Sequence, residues 1–151
     1  MGFLPSLQGT QRVHLMHDRY VLLLRTDHPL LERRARAAPA IRDLGKLGYV
    51  GVRPHPETLH ILQELGLDDR LRLTASHLMA VPSIIEATDL AVLMPRTIAR
   101  RVAEFGAHVF VEPPLPRNEL TVSLHWSKRF DSDPAHAWMR QLLVKIGRAH
   151  V

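Results

Sequence analysis

From Tyr49 onward, apolar and polar positions alternate in short regular blocks. Tyr49–Arg53 is a compact apolar run and reads as a strand. Glu57–Leu65 follows at helical spacing, with Gly66 as its stop, because glycine accepts the left-handed conformation at that position. Arg70–Ala75 reads as a second strand, Val81–Ala87 as a short helix begun near Pro82, and Leu90–Met94 as a third strand. The last is almost continuously apolar, as in a parallel sheet covered on both faces. Thr97 is expected to cap a helix over Ile98–Phe105, stopped by Gly106, and His108–Val111 reads as a fourth strand. Strands alternating with helices imply βαβ units, a mostly parallel sheet and an α/β fold.

The two ends of the chain differ from this middle. Residues 1–12 carry no periodic signal. Tyr20–Arg25 reads as a short strand ended by Asp27-His28-Pro29, since proline restricts the residue before it and donates no amide bond. Pro113-Pro114-Leu115-Pro116 cannot be a central strand and reads as a stiff crossover. The chain on its two sides is therefore expected to belong to different lobes. Beyond it, Leu120, Val122, Leu124 and Trp126 alternate with Thr121, Ser123 and His125, as in a half-buried strand. Asp133 suits a helix N-cap and Pro134 the first helical position. Ala135, Trp138, Met139, Leu142 and Leu143 then form an apolar stripe, and Trp126 and Trp138 read as buried anchors.

Composition narrows the picture. With 151 residues and 46% hydrophobic content the chain can build a real core. The absence of cysteine excludes disulfides and thiolate chemistry and fits a reducing cytoplasm. No apolar run approaches the roughly 20 residues that span a bilayer, and the first residues lack the form of a signal peptide. The net charge of +5 is densest at Arg33, Arg34, Arg36, Arg42 and Lys46. Without interleaved aromatics or a helix-turn-helix pattern, this cluster reads as a solvated face rather than a nucleic-acid surface. Ile146–Val151, IGRAHV, is what ATC-GGA-AGA-GCA-CAC-GTC encodes, which resembles a sequencing-library adapter. These six residues are expected to be foreign.

Open parallel sheets bind ligands beyond the carboxyl ends of their strands. Those ends lead here to Arg53, Pro54 and His55, to Ser76 and His77, and to Pro95, Arg96 and Thr97. Each precedes a predicted helix, whose free amides and positive dipole end favour carboxylates and phosphates. The expected ligand is a small anion facing His55, Ser76, His77, Arg96 and Thr97. Enzyme signatures are missing: His14/His17 and His55/His60 lack the Glu of HExxH, and there is no GxSxG, P-loop or GxGxxG. Neither a metal nor a catalytic residue is expected.

Three blocks carry a family resemblance: DRYVLLLRTDHPLL at 18–31, TASHLMAVPSIIEATDLAVLMPRTIARRV at 74–102, and HWSKRFDSDPAHAWMR at 125–140. Together they resemble the effector-binding region of LysR-type transcriptional regulators, most closely the subgroup that senses aromatic carboxylates and flavonoids. In that subgroup the strand before the last helix ends in Trp-His; here the order is His125-Trp126. The resemblance implies a two-lobed, type 2 periplasmic-binding-protein-like fold, with one lobe nearly complete and the other partial. It divides the chain into a remnant of lobe I at 1–30, lobe II at 31–115, and a returning strand and helix at 116–145, followed by the tail at 146–151. It places His55 and His77 in an effector cavity. It implies homodimers or tetramers, and contacts with promoter DNA and RNA polymerase made through an N-terminal part not seen here, with no cofactor and no membrane. A piece lacking part of lobe I is expected to bind effector poorly or not at all and to expose apolar faces of Tyr20–Leu24, Leu120–Trp126 and the Trp138 helix. A solute-binding protein of a transporter would share the fold, and a small acid-processing enzyme is the third class.

Overall fold

The computed structural model describes residues 9–32, 39–53, 55–116 and 118–149. The chain divides into two compact units, one formed by Arg19–Asn118 and the other by Met1–Asp18 with Glu119–Val151. The division falls at 18/19 and 118/119. The reason is the first strand, β1 (Thr10–Arg25). It is much longer than the short run expected from Tyr20, because its first half carries mixed polar and apolar residues that show no clean alternation. The basic residues Arg33, Arg34 and Arg36, and Pro54, lie outside the described residues.

In chain order β1 is followed by α1 (Pro29–Glu32), α2 (Ile41–Leu44), β2 (Gly48–Val52), α3 (Pro56–Glu64), β3 (Leu71–Ala75), α4 (Val81–Glu86), β4 (Leu90–Pro95), α5 (Arg96–Phe105), β5 (His108–Val111), β6 (Glu119–Ser127) and α6 (Pro134–Ala149). Within Arg19–Asn118 the strand order is β3-β2-β4-β1-β5. β2 runs parallel to β3 and β4. β1 is antiparallel to both of its neighbours there, pairing Val21 with Met94 on one side and Leu22 with Val111 on the other. The expected parallel set is therefore interrupted by one reversed strand. Tyr20–Leu24, expected to expose an apolar face, is instead buried, with Val21 to Leu24 fully so. Successive strand residues point to opposite faces, so four buried residues in a row require cover on both sides. Val21 and Leu23 join Val50, Val52, Val92 and Met94 against Val81 and Ile85 of α4 and Ala99 of α5. Each fully buried aliphatic side chain contributes about 2 kcal/mol.

Local chemistry fixes the helix ends. Gly66, at φ +66°, ends α3. Its N–H donates to the Gln63 carbonyl and that of Leu67 to the Leu62 carbonyl, a Schellman arrangement. Gly106 ends α5 differently, in extended conformation at φ −154°. Here the missing side chain matters for space, since a Cβ would lie 2.5 Å from Nδ1 of His108. Nε2 of His108 meets the Pro82 carbonyl at 2.9 Å and ties β5 to the start of α4. The cap of α5 is Pro95, not Thr97, which lies one residue inside the helix. The Thr88 hydroxyl donates to the Ile84 carbonyl and accepts from the Leu90 amide, closing the turn between α4 and β4. Tyr49 is buried, and its hydroxyl donates to the Leu44 carbonyl at 2.9 Å. That burial pushes its phenol pKa up.

In the other unit, the first half of β1 pairs with β6. Asp133 caps α6 as expected, accepting from the His136 amide at 2.7 Å. The helix continues through Ile146 to Ala149. Its half-buried positions include Ala137, Arg140, Val144 and Gly147. A Cβ on Gly147 would sit 3.1 Å from that of Leu15, so this face needs small residues to approach the strand. The Arg140 guanidinium stacks 4.7 Å over Trp126 and donates to the carbonyls of Phe130 and Asp131. Trp126 is thereby half-buried, whereas Trp138 is not the anchor expected. It is 62% exposed, and Met139, Leu142, Leu143 and Ile146 accompany it on the surface.

Two outcomes follow. Contiguous exposed apolar surface drives association, so light scattering should show concentration-dependent self-association, reduced in Trp138→Lys. Tyr49→Phe should lower stability by about 1 kcal/mol in urea melts at neutral pH. A phenol pKa raised in the folded state stabilises fully below the unfolded value of about 10 and loses that contribution as pH rises through the folded value. Above pH about 10 the parent should therefore lose stability more steeply than Tyr49→Phe.

Candidate functional site

The carboxyl ends of β2, β3 and β4 lie on one edge of the sheet. Val52 pairs with Ala75, and the Arg53 amide donates to the Ala75 carbonyl at 3.0 Å. Gly48 and Tyr49 pair with Leu90 and Ala91, a register that sets Val52 level with Met94. His55, Ser76, His77, Arg96 and Thr97 each follow one of these ends within three residues, so the fold brings all five to the same edge.

His55 is the N-cap residue of α3, and Pro56 supplies a first helical position that lacks an N–H. The His55 carbonyl accepts from the Thr58 hydroxyl at 2.8 Å. Its half-buried ring makes no cap hydrogen bond. His77 occupies the corresponding place before the 3₁₀ turn Leu78–Ala80, again with no side-chain cap bond, and both it and Ser76 are exposed. Adjacency of Ser76 and His77 in sequence creates no nucleophile–base pair. The rings at 55 and 77 are instead positioned to donate or accept one bond per nitrogen.

Arg96 opens α5. Its Nε lies 2.9 Å from Oε1 of Glu112, just past β5, while Nη1 of Arg19 lies 3.3 Å from Oε2 of the same carboxylate. Sequence reasoning missed Arg19 and Glu112, because only the reversed β1 brings its residues beside the ends of β4 and β5. A carboxylate immediately after a predicted strand was the one available signal. The Arg96 Nε is inaccessible to solvent and, despite its closeness to Oε1, has no aligned hydrogen bond among the described residues. The contact is an ion pair without hydrogen-bond geometry at Nε.

The opposite end of the sheet is chemically different. Nε and Nη2 of Arg25 donate to Oδ1 of Asp89 at 2.9 and 2.6 Å, and Asp27 also pairs with Arg25. The guanidinium's hydrogen bond holds the Asp27 carboxyl below its usual range. His28 accepts from the Leu30 amide at Nδ1, so Nε2 carries the proton and donates to the Asp89 carbonyl at 3.0 Å. A cleft of about 430 Å³ is lined there by His28, Arg42, Asp43 and Lys46 among others. It is not the edge that carries the five expected residues. Among the described residues no group of His, Asp and Glu could hold a metal ion, and no helix is long and apolar enough to cross a membrane.

Comparison with known proteins adds independent evidence. A family model described as LysR substrate binding domain matches residues 2–147. The HTH-type transcriptional activator NagR of a Ralstonia species is 32% identical over 153 residues, covering 97% of this chain and 49% of its own length. The chain thus spans about half the length of this curated relative. The crystal structure of a probable transcriptional regulator from Pseudomonas aeruginosa superposes with a TM-score of 0.75 at 26% identity, covering 94% of this chain and 46% of that one. The effector-binding domain of QuiR in complex with shikimate shares the fold, with a TM-score of 0.75 at 13% identity over 98% of this chain and 70% of that one.

Because neither histidine ring caps its helix, His55→Ala and His77→Ala should each change stability by less than about 1 kcal/mol. Urea denaturation checks this, and a larger loss would show that the rings support the fold.

Proposed function

Since the chain belongs to the LysR substrate-binding domain family, we propose that it is the effector-sensing part of a bacterial transcriptional regulator and takes a small aromatic carboxylate. The carrying observation is the shared sheet edge, where His55, His77 and Arg96 follow three adjacent strand ends beside uncapped helix starts. A guanidinium attracts an anion, and imidazole rings suit both a carboxylate and an aromatic face. Ser76 and Thr97 supply hydroxyls at the same edge. The aromatic class rests on the three sequence blocks quoted above. The shikimate carried by QuiR, itself a carboxylate, agrees with an anionic ligand.

On this reading Arg19–Asn118 is the second lobe, and the unit of 1–18 with 119–151 belongs to the first. The parent regulator is a cytoplasmic homodimer or tetramer without catalytic activity. It contacts promoter DNA and RNA polymerase through parts outside this chain. Effector shifts its conformational equilibrium only by binding one state better than another. NagR and SyrM 1 are both named as transcriptional regulators, which favours this reading over a transporter's solute-binding protein.

Titration of the isotope-labelled chain with benzoate, followed by NMR, tests the proposal. Millimolar benzoate should shift amides around His55, His77 and Thr97, whereas benzamide, its neutral isostere, should do so far less. His55→Ala and His77→Ala should each weaken binding about tenfold, as loss of a hydrogen bond to a charged group does. Equal responses to benzoate and benzamide, or unchanged binding in both variants, would remove these residues from the site.

A further inference from the structure

The Arg96–Glu112–Arg19 cluster sits on the edge assigned above to the effector, yet its central member is an acid. A carboxylate there repels an incoming anion unless it is already neutralised, and both neighbouring guanidinium groups contribute to that. The pairing with Arg96 is incomplete. Nε of Arg96 is solvent-inaccessible and 2.9 Å from Oε1, but its N–H finds no aligned acceptor among the described residues. A buried donor without an acceptor costs free energy, which a better-placed acceptor recovers. Both side chains remain about 40% exposed, so solvent and solutes reach the rest of the pair, and Nε becomes reachable only when Glu112 moves aside. β4 and β5 are not neighbours, as β1 lies between them. The pair therefore reaches from the start of α5 across β1 to the end of β5, and Arg19 reaches the same carboxylate from β1.

We infer that Glu112 is an internal counter-anion, holding Arg96 until an anionic effector supplies the acceptor that Nε lacks. The effector carboxylate takes over the guanidinium, and Glu112 keeps Arg19. Glu112 thus sets a threshold for binding: a neutral ligand cannot displace it, and a weak anion does so only at high concentration. This inference rests on the effector edge proposed above, and deepens it by naming the residue against which the ligand competes.

The test is benzoate titration of the complete chain and of Glu112→Gln and Glu112→Ala, reading backbone amides near His55 and His77 together with the Arg96 Nε–H resonance. Benzoate should move the Arg96 Nε–H resonance in the parent. Both variants should bind benzoate about two- to fivefold more tightly, the range expected for loss of a competing, partly exposed ion pair. Adding Arg96→Ala should abolish that gain. If benzoate shifts the His55 and His77 amides with equal affinity in all three chains, and Arg96 is unmoved, Glu112 has no such role and the effector edge stands. If benzoate shifts neither set in any chain, the edge and the counter-anion fall together. Glu112 is at the surface, and an Arg96 Nε–H resonance that benzoate leaves unmoved in the parent overturns the inference even if a variant fails to fold.

Discussion

The structure depends on one strand running the wrong way. Val21–Leu24 enters between β4 and β5, antiparallel to both, and is buried on both faces. It is the apolar seam against which α4 and α5 close the core. It also decides where charge is placed. With β1 seated between them, the exits of β4 and β5 are separated by one strand width, and Arg19, two residues before the seam, reaches the same Glu112 carboxylate that Arg96 meets. Had β4 and β5 been direct neighbours, as a simple βαβ unit would have them, no third charge would enter that edge.

What could be read from sequence follows the same logic. Strands buried on both faces announce themselves as continuous apolar runs, which is why Leu90–Met94 and Tyr20–Arg25 were visible as parts of β4 and β1. Direction is not encoded in such a run, so the reversal of β1 was not. Its first half, with Arg12, His14 and His17 among apolar residues, belongs to the other unit and has no single buried face. Gly66 was legible because its left-handed conformation has a chemical cause. The start of α5 was misplaced because threonine is a good cap by chemistry, while the chain uses Pro95, whose fixed backbone geometry needs no side-chain bond. In α6 the apolar stripe was legible but its orientation was not. Packing selected the face with Ala137 and Gly147, because close approach to Leu15 needs small residues, and the larger residues face outward.

The candidate site was legible to the extent that it depends on strand ends alone. His55, Ser76, His77, Arg96 and Thr97 share an edge because parallel strands in register must end together. Their surroundings were not legible. Glu112 and Arg19 are distant from the helix starts in sequence and reach them only through the order of strands.

The two ends of the Arg19–Asn118 sheet differ in how their polar groups are used, and this is the stronger ground for placing function at one of them. Where β1 ends, Arg25 makes two hydrogen bonds to Asp89, both nitrogens of His28 are engaged, and Asp43 accepts from the Ala40 amide, although the buried Nδ1 of His108, opposite Arg25, has no partner among the described residues. Groups satisfied inside the protein have little to offer a ligand and much to lose by rearranging. At the other end, two histidine rings stand at helix starts without capping them, and the Arg96 Nε–H lacks an aligned acceptor. A single bound carboxylate, with two oxygens and several lone pairs, can accept from more than one such group at once.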